Sequence, residues 1–150
     1  MNIVFLDRDT ISPGTTLRAP AFAHTWTQHD RTTAEQAAQR IRDAHIVIVN
    51  KVKLSAETLA QAPHLKLIAV AATGTDNIDL ADCQQRGIVV SNVRNYAKHT
   101  VPEHTFALMF ALRRSICAYR DAVKAGRWQE AAQFCFFDHP IVTWPAPRWA

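Results

Sequence analysis

The sequence is poor in glycine, with four among 150 residues, at positions 14, 74, 87 and 126. This spacing leaves no room for a Gly-x-Gly-x-x-Gly fingerprint, in which closely spaced glycines let the backbone approach a dinucleotide pyrophosphate. His-Glu-x-x-His and Gly-x-Ser-x-Gly are also absent. The sequence therefore predicts neither a dinucleotide loop, nor a zinc-peptidase site, nor a serine-hydrolase elbow within these residues.

Cysteine and long apolar runs are also scarce. Cys83, Cys117 and Cys135 are odd in number and widely spaced, which fits neither a disulfide framework nor a Cys-x-x-Cys site, and we expect them to be reduced and structural. The longest apolar run, residues 106–112, is far shorter than the roughly 20 residues of a membrane span. The amino end lacks a basic region and reaches Asp7 early, unlike a signal peptide. We expect a cytoplasmic protein without a membrane partner.

The charge is modest but unevenly distributed. The composition, 48% hydrophobic and 20% charged with a net charge of +4, is that of an ordinary globular domain. Between Arg94 and Arg127 lie seven basic residues and two acidic ones. Such a stretch can attract phosphates or small carboxylates, and it equally suits the solvated face of a helix. Nucleic-acid binding near Arg113 and Arg114 is a weaker alternative that no recognised motif supports, so we expect no nucleic-acid partner.

Short apolar runs alternate with helix-forming segments, which is typical of a parallel sheet covered on both faces. Strands are predicted at 3–6, 45–49, 67–71 and 88–90, with a weaker one at 23–29. Helices are predicted at 33–43, 55–63 and 79–86, the last one ended by Gly87. We expect an α/β fold with a flavodoxin-like, doubly wound parallel sheet.

The longest predicted element is a helix from residue 101 to about 122. Residues 100–103, Thr-Val-Pro-Glu, satisfy the capping-box pattern at its start. From Phe106 to Leu112 apolar side chains face every direction, which predicts burial all round. One domain of this size can hardly cover such a helix, so we expect a second domain or a second subunit to pack against it. The tail from Phe134 onward has three prolines and no packing period, which indicates a linker.

In open parallel sheets, ligands bind where loops converge at the carboxyl ends of strands. Three predicted strand ends carry polar residues: Asn50-Lys51, Thr73 to Asn77, and Ser91-Asn92. The middle end is the strongest candidate, because Gly74 lets the backbone present amide groups to an anion, with the Thr73 and Thr75 hydroxyls as further donors. The alternative is an ordinary turn in which Asp76 or Asn77 caps the following helix.

The remaining candidates are a lysine and the histidines. Lys51 can pair with a carboxylate or phosphate, although a lysine at a strand end is more often only solvated. Glu103 and His104 are adjacent on a helix and point in different directions, so they do not form a dyad. His99 and His104 are five residues apart, a poor spacing for shared ligation on a helix. The sequence predicts no metal site.

Several blocks, taken in order, resemble those of the D-2-hydroxyacid dehydrogenase family. They are Asn50-Lys51-Val52, residues 67–79, residues 86–93, and Tyr96 with residues 101–105. The similarity covers roughly residues 1–142. The Asn-Lys-Val block and the Ala-Thr-Gly-Thr-Asp-Asn form favour the hydroxypyruvate reductase, or glycerate dehydrogenase, kind.

The resemblance implies an architecture of three parts: a flavodoxin-like substrate-binding domain at 1–100, an interdomain and dimerisation helix at 101–125, and a linker-like tail at 126–150 that leads into an NAD-binding Rossmann domain. It also implies that the backbone amides of Thr73 and Gly74 hold the carboxylate of a small 2-hydroxy or 2-keto acid. The resemblance further implies that Thr73 touches the cofactor, NAD or NADP, and that Lys51 faces the substrate. The 101–122 helix is expected to form a homodimer.

The departure from the family lies at the carboxyl end. The family's catalytic Arg, Glu and His, its phosphate loop and its ribose-binding acid are expected after about residue 145, where this sequence continues only to Ala150. We therefore assign no catalytic residue, and expect a truncated chain with neither tight cofactor binding nor turnover by itself. Two hypotheses remain. One is the substrate-binding half of an NAD(P)-dependent reductase of hydroxypyruvate or glyoxylate that oxidises D-glycerate in reverse. The other is a non-catalytic interaction module, or a decayed remnant of that fold.

Overall fold

A five-stranded parallel sheet organises the amino-terminal part of the chain in the computed structural model, which describes residues 1–143. Its strands are β1 (Asn2–Phe5), β2 (Thr25–Gln28), β3 (Ile46–Val49), β4 (Leu67–Val70) and β5 (Val89–Asn92). The spatial order is β2-β1-β3-β4-β5, and every neighbouring pair is parallel. This is the flavodoxin-like order, so the predicted fold class is confirmed. The weaker strand predicted at 23–29 is confirmed as β2.

Six helices follow or connect the strands within the described residues. They are α1 (Ala34–Ile41), α2 (Ala56–Ala60), α3 (Leu80–Arg86), α4 (Thr100–Arg113), α5 (Ile116–Lys124) and α6 (Arg127–Glu130), with a 3-10 turn at Arg8–Thr10. The chain forms two compact units, the first from Met1 to Asn95 and the second from Tyr96 onward. The first unit contains the sheet and α1 to α3. The predicted helices at 33–43, 55–63 and 79–86 are thereby confirmed.

The core of the first unit lies between the sheet and its helices. Val47, Val49 and Ile68 from the central strands are fully or almost fully buried, and Leu59 of α2 and Cys83 of α3 pack into the same cluster. Burial raises the pKa of the Cys83 thiol, and the neighbouring Asp82 and Asp79 carboxylates act in the same direction. This thiol therefore stays protonated and packs as an apolar group.

The structure corrects the prediction of one helix from 101 to 122. The helix ends at Arg113 and a new one begins at Ile116, because Ser115 adopts a left-handed conformation with φ 49° and ψ 37°. The tail holds this break: Val142 N–H donates to the Arg113 carbonyl at 2.8 Å, and the Ser115 hydroxyl donates to the Pro140 carbonyl at 2.6 Å. Contacts with the tail thus replace the hydrogen bonds that a continuous helix would make.

The predicted capping box at residues 100–103 is also wrong. The N-cap of α4 is His99, and its carbonyl accepts from the Glu103 amide at 3.0 Å. Thr100 is therefore already the first helical residue, and its hydroxyl is not in the capping position.

The α4 helix carries a large apolar surface. None of its residues is buried by residues 1–143, and Phe106, Phe110 and Leu112 are 55%, 52% and 80% exposed. The all-round burial predicted for this helix is thus not provided by the described residues. No helix within them has the length and apolarity that a bilayer span requires.

The tail of the second unit packs around one aromatic ring. Phe136 is buried, with the rings of Tyr119 and Trp128 at 5.3 and 6.0 Å and the Arg127 guanidinium 5.1 Å from its centre. Arg127 also forms a two-point ion pair with Asp138, at 2.6 and 3.0 Å. Residues 131–143 contain no regular helix or strand but are fixed by these contacts. The rest of the segment predicted as a linker, residues 144–150, lies outside the described residues.

Gly87 allows a direct test of the turn between α3 and β5. It ends α3 with φ +69°, and an added Cβ would meet no atom within 4 Å, so Gly87→Ala costs only backbone strain. We expect a loss of about 1 kcal/mol in the free energy of unfolding, measured by urea denaturation. Gly14→Ala is the matched control, because its Cβ meets only Ser12 Oγ at 3.8 Å. Equal losses of stability in the two variants would show that the positive φ of Gly87 is not the cause of the effect.

Candidate functional site

The carboxyl ends of β3, β4 and β5 lie side by side, as expected from their adjacent positions in the sheet. Hydrogen bonds continue the sheet past the strand ends: Ala71 N–H donates to the Val49 carbonyl at 2.8 Å, and Val93 N–H donates to the Ala72 carbonyl at 3.0 Å. The three predicted polar ends therefore share one edge of the first unit.

A buried carboxylate joins this edge to β1. Asp7 follows β1, is 4% exposed, and accepts hydrogen bonds from three successive backbone amides. These are the amides of Asn50 at 2.9 and 3.1 Å, Lys51 at 2.6 Å and Val52 at 3.2 Å. No cation of residues 1–143 forms an ion pair with Asp7. The amide dipoles alone compensate its charge.

The Asn77 side chain holds the same loop by donating to the backbone carbonyls of that loop. Its Nδ2 donates to the Val52 carbonyl at 2.9 Å and to the Asn50 carbonyl at 3.5 Å. The backbone carbonyl of Asn77 accepts from the Leu54 amide at 2.9 Å. The alternative in which Asp76 or Asn77 caps α3 is wrong, because Asp79 is the N-cap and accepts from the Asp82 amide at 3.0 Å.

Lys51 lies at the tip of the loop that Asp7 and Asn77 hold. Its amide donates to Asp7, while the residue is exposed and its ammonium group forms no ion pair within residues 1–143. The structure thus places a positive charge, on a fixed piece of backbone, at the end of β3.

The loop after β4 contains backbone amides without an acceptor in residues 1–143. No acceptor in residues 1–143 bonds to the amides of Thr73, Gly74 or Thr75, and Thr73 and Gly74 are exposed. The Thr73 hydroxyl is not the additional donor that the sequence predicted, because it donates to the Val93 carbonyl at 2.9 Å. Asn92 Nδ2 donates to the Thr73 carbonyl at 2.7 Å. The loop is anchored through these groups, and its amides remain able to bind an anion.

Gly74 lies close to the end of an exposed side chain. A Cβ added there would lie 2.9 Å from Asp76 Oδ1, so the Asp76 carboxylate would have to turn aside. The side chain of any other residue would also stand beside the free amides. Glycine therefore keeps this part of the loop open.

Sequence reasoning missed Asp7 as part of the site, and it placed Asn77 and Asn92 at candidate strand ends without the anchoring contacts that the structure gives them. Asp7 follows a buried strand, as Asn50 and Thr73 do, and the rule that selected those strand ends also selects this one. Within the described residues, no group of three or more His, Cys, Asp or Glu side chains is arranged to hold a metal ion.

The cavities of the surface do not coincide with the predicted anion donors. One, of about 400 Å³, lies between residues 53–57 and 76–79, beside the carboxylates of Glu57, Asp76 and Asp79. Another, of about 570 Å³, lies in the second unit between α5, α6 and the tail, and its lining is mainly apolar. Neither includes Thr73 or Gly74. These donors lie instead on an open edge, of the kind that a second surface must close to form a binding site.

The sequence matches a known family over most of its length. The model of the catalytic domain of D-isomer specific 2-hydroxyacid dehydrogenases matches residues 8–135. The glycerate dehydrogenase of Methylorubrum extorquens is 49% identical over 140 residues, which are 93% of this chain and 44% of that protein. The chain spans about 45% of the length of the curated relatives that it matches over most of its own length.

Solved structures agree with the fold. The D-lactate dehydrogenase of Aquifex aeolicus, complexed with NAD and lactic acid, superposes with a TM-score of 0.62 at 23% identity, over 89% of this chain and 40% of that one. The NADPH-dependent glyoxylate/hydroxypyruvate reductase of Sinorhizobium meliloti, complexed with citrate, superposes with a TM-score of 0.64 at 20% identity, over 99% of this chain and 44% of that one. At these identities the superpositions support the fold alone.

Replacing the buried carboxylate is expected to destabilise the first unit. Asp7→Ala leaves the amides of Asn50, Lys51 and Val52 without their acceptor, and we expect a loss of about 3 kcal/mol in the free energy of unfolding, measured by chemical denaturation. Asp9→Ala is the control, because Asp9 is half exposed and pairs only with the exposed Arg31. An Asp7 variant as stable as the Asp9 variant would contradict the role of this carboxylate.

Proposed function

This chain belongs to the D-isomer specific 2-hydroxyacid dehydrogenase family, and we propose that it is the substrate-binding part of an NAD(P)-dependent reductase of hydroxypyruvate or glyoxylate. In the reverse direction such an enzyme oxidises D-glycerate. The observation that carries the proposal is the pair of uncommitted amides at Thr73 and Gly74, at the carboxyl end of a central parallel strand. The 49% identity to a glycerate dehydrogenase supports the choice of substrate class.

The loop geometry suits the carboxylate of a small 2-keto acid. Two neighbouring N–H groups bind a carboxylate through charge-assisted hydrogen bonds, which are about twice as strong as neutral ones. Lys51, on the loop after the adjacent strand β3, adds a positive charge on the same edge. We propose that Thr73 and Gly74 hold the carboxylate and that Lys51 faces the substrate.

A nicotinamide cofactor would supply the hydride for this reaction. The described residues fit one contact with it and not a complete cofactor site: the exposed Thr73 retains its amide N–H and the lone pairs of its hydroxyl, but no glycine-rich phosphate loop occurs in the sequence. We propose that Thr73 contacts NAD or NADP at the edge of the substrate site, and that this chain alone binds the cofactor weakly.

The second unit is proposed to provide the contacts between protein surfaces. The exposed apolar side chains of α4, with Phe106 and Phe110 stacked at 6.5 Å, form the type of surface that another protein surface covers. We propose that the rest of the enzyme and a second copy of this chain cover it. The same exposure also favours the second candidate function, a non-catalytic module that pairs through α4.

Reconstitution distinguishes the two functions. We expect a fusion in which this chain replaces the matched segment of the Methylorubrum glycerate dehydrogenase to oxidise NADH or NADPH when hydroxypyruvate or glyoxylate is added. The chain alone, and the fusion without a keto acid, are the controls and should show only background oxidation. A folded but inactive fusion would support the interaction module. Light scattering on both proteins gives their size and thereby tests the proposed dimer.

Gly74 provides the test of the anion site in this fusion. Gly74→Ala puts a methyl group beside the donor amides and turns the exposed Asp76 carboxylate aside, so we expect KM for hydroxypyruvate to rise about 10- to 100-fold, the loss of one to two charge-assisted hydrogen bonds. Gly87→Ala is the control, since it strains the backbone at the amino end of β5, whereas the anion site lies at the carboxyl ends of the strands. If both variants keep the KM of the parent protein, the amides of this loop do not hold the substrate.

A further inference from the structure

We propose that Asp7 and Asn77 are positioning residues for Lys51. Asp7 holds the backbone amides of Asn50, Lys51 and Val52, and Asn77 holds the backbone carbonyls of Asn50 and Val52. Together they fix the Lys51 backbone and thereby the place from which its ammonium group extends. The inference rests on the proposed function, in which Lys51 faces the substrate.

The Asp7 carboxylate imposes one shape on this loop. Three successive amides reach two oxygens of the same carboxylate, at 2.6 to 3.2 Å, and only a loop that curls around the carboxylate allows this. Amides on an exposed loop can bond to water in many conformations, but the bond from the Val52 amide to Asp7 is buried. A buried carboxylate that binds all three amides therefore fixes one conformation among many.

Asp7 differs in this respect from the paired carboxylates of the described residues. Asp9, Asp82, Asp121 and Asp138 each pair with an arginine, and all four are more accessible than Asp7. Within residues 1–143 the Asp7 carboxylate accepts only from backbone amides, all of them on the loop that carries Lys51. Its side chain thus serves that loop and no cation.

Asn77 supplies the complementary contacts. Its Nδ2 donates to the carbonyls on both sides of Lys51, at 2.9 Å for Val52 and 3.5 Å for Asn50. An aspartate of the same size has no N–H to donate, so the amide side chain is needed. Pairing between Leu54 and Ile78 then fixes the loop after β3 to the segment after β4.

These contacts leave the Lys51 side chain as the free part of the loop. Its amide is held at 2.6 Å, which sets the direction of its Cα–Cβ bond, while the side chain remains exposed to solvent. Restricting the backbone and the Cα–Cβ direction of Lys51 in this way lowers the entropy lost when a substrate anion binds. Releasing the loop should therefore weaken substrate binding through Lys51 and leave the chemical step little changed.

A double-mutant cycle in the active fusion tests this inference. We expect Asp7→Asn and Lys51→Ala each to raise KM for hydroxypyruvate about tenfold with kcat within about threefold of the parent. We expect the double variant to raise KM no further than Lys51→Ala alone, because the effect of Asp7 passes through Lys51. A purely structural Asp7 would instead give additive effects, about a hundredfold in KM, and that result would overturn the inference.

Asp9→Asn and Lys53→Ala are the matched controls, because they make the same chemical changes two residues away, and both should keep the parent KM. If circular dichroism shows that Asp7→Asn does not fold, Asn77→Ala replaces it in the cycle, since it keeps the Asp7 carboxylate and its bonds to the three amides. An unchanged KM in Lys51→Ala would overturn the inference while the reductase activity of the parent fusion still supports the proposed function. An inactive parent fusion contradicts both, and is recognised before any substitution is made.

Discussion

The bonds between the Asp7 carboxylate and three amides after β3 are the contact on which the edge of the sheet depends. They tie the ends of two neighbouring strands, β1 and β3, where the chain would otherwise diverge into separate loops. The carboxylate is stable in the interior only because hydrogen bonds to both of its oxygens offset the free-energy cost of removing it from water. Asn77 and the Leu54–Ile78 pairing extend the same order to the loop after β4.

The loop after β4 is held in a different way, and the difference matters for binding. Its contacts to β5 use the hydroxyl and the carbonyl of Thr73, through Val93 and Asn92. No contact within residues 1–143 uses the amides of Thr73 and Gly74. The loop after β3 therefore has its amides bonded within the protein and exposes the Lys51 cation. The loop after β4 is anchored through a carbonyl and a hydroxyl group and keeps its amide donors free. An anion meets complementary groups on both.

The elements that were predictable are those encoded locally. The strands follow from continuous branched apolar runs, and the end of α3 follows from Gly87, whose φ of +69° glycine adopts at little cost. The break at Ser115 was not predictable, because no glycine or proline stands next to it. Its cause is the contact with the tail near Pro140. The position of Asp7 at a strand end was readable from the sequence, but its hydrogen-bond partners were not, because they lie more than forty residues away. Strand ends nominated Lys51, Thr73 and Gly74 as site residues, but only the three-dimensional structure showed how their backbone is held.

The chemistry of the proposed substrate indicates what these loops contribute to a reaction. Hydride transfer changes the charge on the keto oxygen, whereas the carboxylate of a 2-keto acid remains a carboxylate from ground state to transition state. The groups proposed to bind it, the amides of Thr73 and Gly74 and the charge of Lys51, would stabilise both states alike and so act on KM. Acceleration of the chemical step requires groups at the keto oxygen and the reacting carbon. The edge described here is accordingly suited to binding and orienting an anion, and the proposed reaction needs further groups at the reacting atoms.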